Sequence, residues 1–306
     1  MRYLQLGGSS LKVPTVAVGC MRIDALSPDS AEAFVKNALE LEANFFDHAD
    51  IYGNGTCEEI FAKAIGMNPA VREKIILQSK LGIVSGKMFD FSKEYILSAT
   101  DAILKRLGTE YLDVLLLHRP DALVEPQEVA EAFDKLESSG KVRYFGVSNQ
   151  NPMQIELLKK YVRQPIVANQ LQFSIAHANL VSAGINVNMT TDSATVRDGG
   201  ILDYARIHDI TIQPWSPFQH GFFGGVFLDR EKFPVLNAKI DEIAEKYNVS
   251  NTTIAIAWIL RHPAKMQPVS GTTNAKRLAD IVKASDIYLT REEWYEIYQA
   301  AGNVLP

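Results

Sequence analysis

Leu112-Asp113-Val114-Leu115-Leu116-Leu117-His118 is an apolar run interrupted by one carboxylate and closed by an imidazole. Such a run fits a parallel β-strand covered on both faces, whereas a strand with one wet face would alternate polar and apolar residues. Its neighbours in sequence are helical. Upstream, Tyr95, Ile96, Ala99, Ile103 and Leu107 recur at helical spacing within residues 93–107, and downstream a helix is expected over 126–138, ending at Gly140. The unit is therefore helix, buried strand, helix.

The same alternation runs outward in both directions. Residues 1–15 read as a β-hairpin turning at Gly7-Gly8-Ser9-Ser10. The spacing then predicts strands over 16–19, 44–47, 75–80, 112–118, 144–149, 166–170, 211–216 and 266–269, with helices between them. Extra helices follow near the C-terminus, the last over 291–301. Residues 174–200 are polar and lack the period, so an insertion or mouth loop is expected there. Eight strand–helix units without a break in composition predict an α/β fold, a (β/α)8 TIM barrel, as one domain over 1–306. A doubly wound sheet is the alternative. Its G-x-G-x-x-G signature is absent, because the first strand runs out as Val18-Gly19-Cys20-Met21-Arg22.

Composition narrows the function classes. With 31 basic and 36 acidic residues among 306 and a formal net charge of −5, no basic block is present to bind nucleic acid or an anionic membrane. The two cysteines, Cys20 and Cys57, form no CxxC or Cys/His spacing, and no metal site is expected. No apolar run reaches the length of a membrane span, and Met1 to Gly8 lack the long apolar stretch expected of a signal peptide. These features predict a soluble cytoplasmic protein acting on a small molecule; a monomer is expected.

In a barrel, the carboxyl ends of the strands meet on one face. Asp47 ends the second strand, Tyr52 follows it, Lys80 ends the third and His118 ends the fourth. Each has an ordinary explanation alone: a cap, a packing ring, a solvated lysine, a structural histidine. Four together at one mouth make a reaction centre. A phenol is a poor acid at neutral pH unless a nearby ammonium stabilises its phenolate, and Lys80 supplies one. Asp47 keeps that ammonium charged and aimed, and a neutral His118 orients a carbonyl oxygen toward the phenol.

These residues, with Phe46-Asp47-His48-Ala49-Asp50-Ile51-Tyr52-Gly53, Leu116-Leu117-His118-Arg119-Pro120-Asp121 and Gly140 to Asn149 around them, resemble the aldo-keto reductases along nearly the whole chain. The His-Arg-Pro-Asp form is similar to a bacterial branch of oxidoreductases. The resemblance implies a (β/α)8 barrel that reduces an aldehyde or ketone with NADPH, with NADH as the alternative cofactor. It implies catalytic roles for Tyr52, Lys80, Asp47 and His118. Ser148, Asn149 and Gln170 are expected to hold the nicotinamide carboxamide, with Trp215 stacked on the ring. Ser216, Phe218, Gln219 and Gly221 are expected near the pyrophosphate, although Gln219 and His220 stand where glycines are common. Gly271, Thr272 and Arg277 are expected at the adenosine 2′-phosphate, although Gly271 replaces a frequent lysine. Met21, Tyr52, Phe89 and Trp215 are the expected substrate wall. A second reading is a cofactor-binding regulatory subunit with little turnover.

Overall fold

A computed structural model describes residues 1–221 and 224–305. In chain order the elements are β1 (Tyr3–Gln5), β2 (Lys12–Pro14), β3 (Ala17–Gly19), α1 (Pro28–Glu40), β4 (Phe45–Asp47), α2 (Thr56–Ile65), α3 (Pro69–Arg72) and β5 (Ile76–Leu81). They continue with β6 (Ile83–Val84), β7 (Met88–Phe89), α4 (Lys93–Leu107), β8 (Leu112–Leu117), α5 (Pro126–Ser138), β9 (Val142–Ser148), α6 (Pro152–Lys159) and β10 (Ile166–Gln172). The last third holds α7 (Asn179–Ile185), α8 (Ile201–Ile207), β11 (Thr211–Trp215), α9 (Pro234–Tyr247), α10 (Asn251–Arg261), β12 (Val269–Ser270), α11 (Ala275–Lys283) and α12 (Arg291–Ala300).

Strand β8 shows why the chain closes on itself. Its Val114 and Leu116 pack inward with Ala17, Phe45, Val167, Ala168 and Val269, while Leu115 and Leu117 pack outward in the layer that includes the helices. Both faces are buried, as a parallel strand inside a helical ring requires. Eight strands form one sheet in the order β11-β10-β9-β8-β5-β4-β3-β12. The Gln267 N–H, just ahead of β12, donates to the Ile212 carbonyl on β11 at 3.0 Å and bridges the two ends of that order. The architecture is the expected (β/α)8 barrel.

The N-terminal hairpin pairs Tyr3 with Pro14 and Gln5 with Lys12. Its Leu6 and Val13 join the interior cluster of the barrel. Gly7 adopts φ +51°, and a side chain there would stand 2.3 Å from the Val167 carbonyl oxygen, so the turn is pressed onto the barrel floor. Helix starts follow the sequence closely. Ser27, Ser92, Ser250, Asn274 and Thr290 each accept a backbone N–H at the start of α1, α4, α10, α11 and α12.

Three expectations change. The eighth barrel strand is Val269–Ser270, later than 266–269, because Pro268 has no N–H to give the ladder. The antiparallel pair β6–β7 was not expected; its strands are two residues each. Residues 174–200 contain α7, whose Val181 and Ser182 are buried, and the Tyr298 hydroxyl donates to Ser182 Oγ at 3.0 Å. This part of the segment is docked on the C-terminal helix α12.

Candidate active site

The carboxyl ends of the strands open into a cavity of about 760 Å³. Asp47, Tyr52, His118, Ser148, Asn149, Gln170, Trp215, Ser216, Phe218, Gln219, Gly271, Thr272 and Arg277 line it, which brings together nearly all the residues expected from the sequence. Lys80 lies immediately behind, with no exposed surface. Gly221 is outside the lining, where its carbonyl accepts from Gln172 Nε2 at 2.5 Å. Phe89 is also outside it, and Ile83 from the same hairpin takes that side of the wall. No residue between 174 and 200 lines the cavity.

Strand pairing builds the centre. Asp47 on β4 sits opposite Gln78 on β5, and Lys80 is two residues further along, so its side chain projects to the same interior face. Lys80 Nζ donates to Asp47 Oδ1 at 2.7 Å, to Asp47 Oδ2 at 2.8 Å and to the His48 carbonyl at 2.6 Å. A buried ammonium is tolerable only when paired and hydrogen-bonded in this way. Burial alone pushes the Lys80 pKa down, but Asp47 and Tyr52 outweigh it and the net direction is up, so the lysine stays charged.

Tyr52 opens a short 3-10 turn after β4, in which Gly53 and Asn54 adopt positive φ of 55° and 53° and turn the chain back over the mouth. Lys80 Nζ lies 4.9 Å from the centre of the Tyr52 ring. The His118 ring meets Tyr52 edge-on at 6.0 Å. Burial raises the Tyr52 pKa above its ordinary 10; Lys80 lowers it, Asp47 raises it again, and the net direction is up. The expected effect of the ammonium, a lower Tyr52 pKa, is present, but burial outweighs it. The cost of a buried phenolate exceeds what Lys80 returns, and Tyr52 is a protonated phenol at neutral pH. His118 is held neutral, well below its ordinary 6.5, by burial first and then by the positive charges of Lys80 and Arg119.

A second group surrounds Trp215. Its indole N–H donates to Asn149 Oδ1 at 3.2 Å, Asn149 Nδ2 donates to Ser148 Oγ at 2.7 Å, and Ser148 Oγ donates to the Gln170 carbonyl at 2.9 Å. Asn149 and Ser216 hold φ of +57° and +50°, a costly conformation for residues with side chains, and both face the cavity. Each amide in this group keeps a further donor or acceptor position for a ligand. At the far end, Arg277 stands in the first turn of α11, capped by Asn274.

Sequence reasoning missed two sets of residues. Arg22, Ile83, Arg119, Asn251, Thr252 and Leu228 also line the cavity. Arg119 follows His118 just past a strand end, a position that belongs to the mouth, and its guanidinium lies 5.8 Å from the Trp215 ring centre. The other set is the interior glutamines Gln78, Gln213 and Gln267, all fully buried. Their signal was an amide beside apolar residues in the short runs Ile75 to Lys80, Thr211 to Ser216 and Met266 to Val269. Among the described residues, no group of three or more His, Cys, Asp or Glu is placed to hold a metal, and no helix is long and apolar enough to cross a membrane.

Comparison with known proteins places this architecture. The oxidoreductase YcsN of Bacillus subtilis (strain 168), itself uncharacterized, is 32% identical over 98% of both chains. The 6-dehydroglucose reductase of Agrobacterium fabrum is 33% identical over 95% of both. The crystal structure of a thermostable aldo-keto reductase superposes with a TM-score of 0.79 at 24% identity, covering 98% of this chain and all of that one, a likeness of fold. The family model described as "Aldo/keto reductase family" matches residues 15–301. With the barrel, its mouth and these matches in agreement, the chain belongs to the aldo/keto reductase family and is an NAD(P)H-dependent oxidoreductase that acts on carbonyl groups.

Proposed function

We propose that the protein reduces an aldehyde or ketone to the alcohol with NADPH, and that Tyr52 delivers the proton. The observation that carries this reading is the position of Lys80: fully buried, clamped on both oxygens of Asp47, and 4.9 Å from the centre of the Tyr52 ring. A lysine is removed from water at this cost where its charge has a task.

The cavity suits a nicotinamide cofactor. Ser148, Asn149 and Gln170 offer amide and hydroxyl groups beside the flat face of Trp215, and Gln170 commits its nitrogen to Asp47 while its carbonyl oxygen has capacity to accept. Backbone around Ser216, Phe218 and Gln219 suits the pyrophosphate. Thr272 and Arg277, on the α11 side, suit a 2′-phosphate, which a guanidinium can grip through two parallel hydrogen bonds; this favours NADPH over NADH. When bound, the reduced nicotinamide supplies the hydride to the carbonyl carbon. His118, neutral, donates to the carbonyl oxygen and aims it at Tyr52. The Tyr52 hydroxyl proton passes to that oxygen as the carbon gains its hydrogen, and Lys80 steadies the phenolate left behind. Met21, Ile83, Tyr52 and Trp215 form the wall against which the substrate rests.

The test is NADPH consumption with purified protein and a panel that includes 4-nitrobenzaldehyde, short-chain ketones and 6-dehydroglucose, the last chosen because a 33% identical relative is named for its reduction. Substrate-dependent loss of NADPH absorbance is expected with at least one member. Tight NADPH binding with no turnover across the panel would overturn this reading in favour of a regulatory, cofactor-binding subunit.

A further inference from the structure

Beneath the proposed proton donor, four glutamines, three on strands β5, β10 and β11 and one just ahead of β12, meet in the barrel interior as a connected set of side-chain amides. Gln267 Nε2 donates to the Pro14 carbonyl at 2.6 Å, Gln213 Nε2 donates to Gln267 Oε1 at 2.9 Å and to Gln78 Oε1 at 3.1 Å, and Gln78 Nε2 donates to Gln213 Oε1 at 2.9 Å. The set ends on the carboxylate. Gln78 Nε2 donates to Asp47 Oδ1 at 2.7 Å, and Gln170 Nε2 donates to the same oxygen at 3.1 Å. Four buried amides in a barrel core are costly unless every one is satisfied, and a connected set fixes which end of each amide is nitrogen. Turning Gln78 over would set its carbonyl against a carboxylate.

We infer that Gln78 is a positioning residue for the proton transfer, holding Asp47 so that both of its oxygens face Lys80. Asp47 Oδ1 receives three donors, from Lys80, Gln78 and Gln170, and Gln78 shares the shortest of these distances, 2.7 Å, with Lys80. Gln78 is the direct pairing partner of Asp47 across the β4–β5 ladder, so backbone register fixes this contact. Without the Gln78 donor, Oδ1 carries more unshared negative charge and is less well held. Both changes act on Tyr52 in one direction: a less compensated Asp47 and a worse-aimed Lys80 each disfavour the phenolate. Other ionisable groups facing this pair are Cys20 after β3, His48 after β4, and His118 and Arg119 after β8, with Glu58 on α2 near Lys80.

This inference rests on Tyr52 as the proton carrier. The test follows Gln78→Met, which keeps the volume and removes the amide, in both reaction directions with 4-nitrobenzaldehyde and NADPH, and 4-nitrobenzyl alcohol and NADP+. Alcohol oxidation needs the phenolate, so its rise with pH moves to higher pH in the variant. Turnover near pH 8 falls by about 10-fold, with KM for the cofactor unchanged. Gln267→Met is the comparison: as buried and as much part of the amide set, but without contact to Asp47, it leaves the pH profile in place. If Gln78→Met does not fold, Gln78→Asn, which withdraws the amide by one methylene, must give the same upward move. An unmoved pH profile in the Gln78 variants, or equal movement in Gln267→Met, overturns the inference. Full activity in Tyr52→Phe would instead overturn the site reading beneath it.

Discussion

Lys80 Nζ bonds both oxygens of Asp47, at 2.7 and 2.8 Å, and the two side chains are removed from water together: Lys80 has no exposed surface and Asp47 has 2%. The pair joins adjacent barrel strands and stands at the floor of the cavity. Breaking one half of such a pair differs sharply from removing both.

Asp47→Asn leaves a buried ammonium without its anion and is expected to destabilise the protein by about 3–5 kcal/mol, read as a lower urea midpoint. The double variant Asp47→Asn/Lys80→Met recovers much of that stability and none of the turnover. A double variant no more stable than the single one would show that the pair's cost lies elsewhere.

Acid should unfold this protein early, and His48 is one cause. Its ring is fully buried, both ring nitrogens lack hydrogen-bond partners among the described residues, and burial with the nearby Lys80 lowers its pKa to about 3. Between about pH 6.5 and that value the unfolded chain takes a proton that the folded one refuses, so stability is complete above pH 6.5 and falls as pH drops below it. The slope is about 1.4 kcal/mol per pH unit for one such histidine. Urea midpoints compared at pH 7.5 and pH 5 should fall less in His48→Leu than in the parent; an equal fall would remove His48 from the account.

Arg277→Ala should separate the two cofactors. Loss of a charge-assisted contact to the 2′-phosphate is expected to weaken NADPH binding by roughly 10-fold or more, as a hydrogen bond to a charged group is worth about 1.5–3 kcal/mol, while NADH binding stays level. Fluorescence titrations with both cofactors read this directly. Parallel losses would mean that Arg277 supports the site's shape.

The barrel was legible because its strands carry a two-sided apolar code and its helices carry caps. Residues 112–117 display the strand code, and Ser27-Pro28 and Ser92 mark helix starts within a residue or two. The mouth residues were legible because strand ends converge whatever their separation in sequence. What escaped depends on closure. Gln78 and Gln213 lie 135 residues apart, and nothing local in either strand says that their amides meet. The sign of the Tyr52 shift escaped for a related reason: the sequence displays the ammonium beside the phenol, while the desolvation that outweighs it belongs to the folded barrel. Helix α8 and the β6–β7 pair are short, at seven and two residues, and carry too few periods to stand out.

The most direct measurement is single-turnover reduction by Tyr52→Phe beside the parent, with NADPH affinity measured separately. The phenylalanine keeps the ring that meets His118 edge-on and the ring above Lys80, and removes only the hydroxyl. The account predicts a fall in the rate of at least about 10²-fold with NADPH affinity unchanged. An undiminished rate in Tyr52→Phe would contradict it.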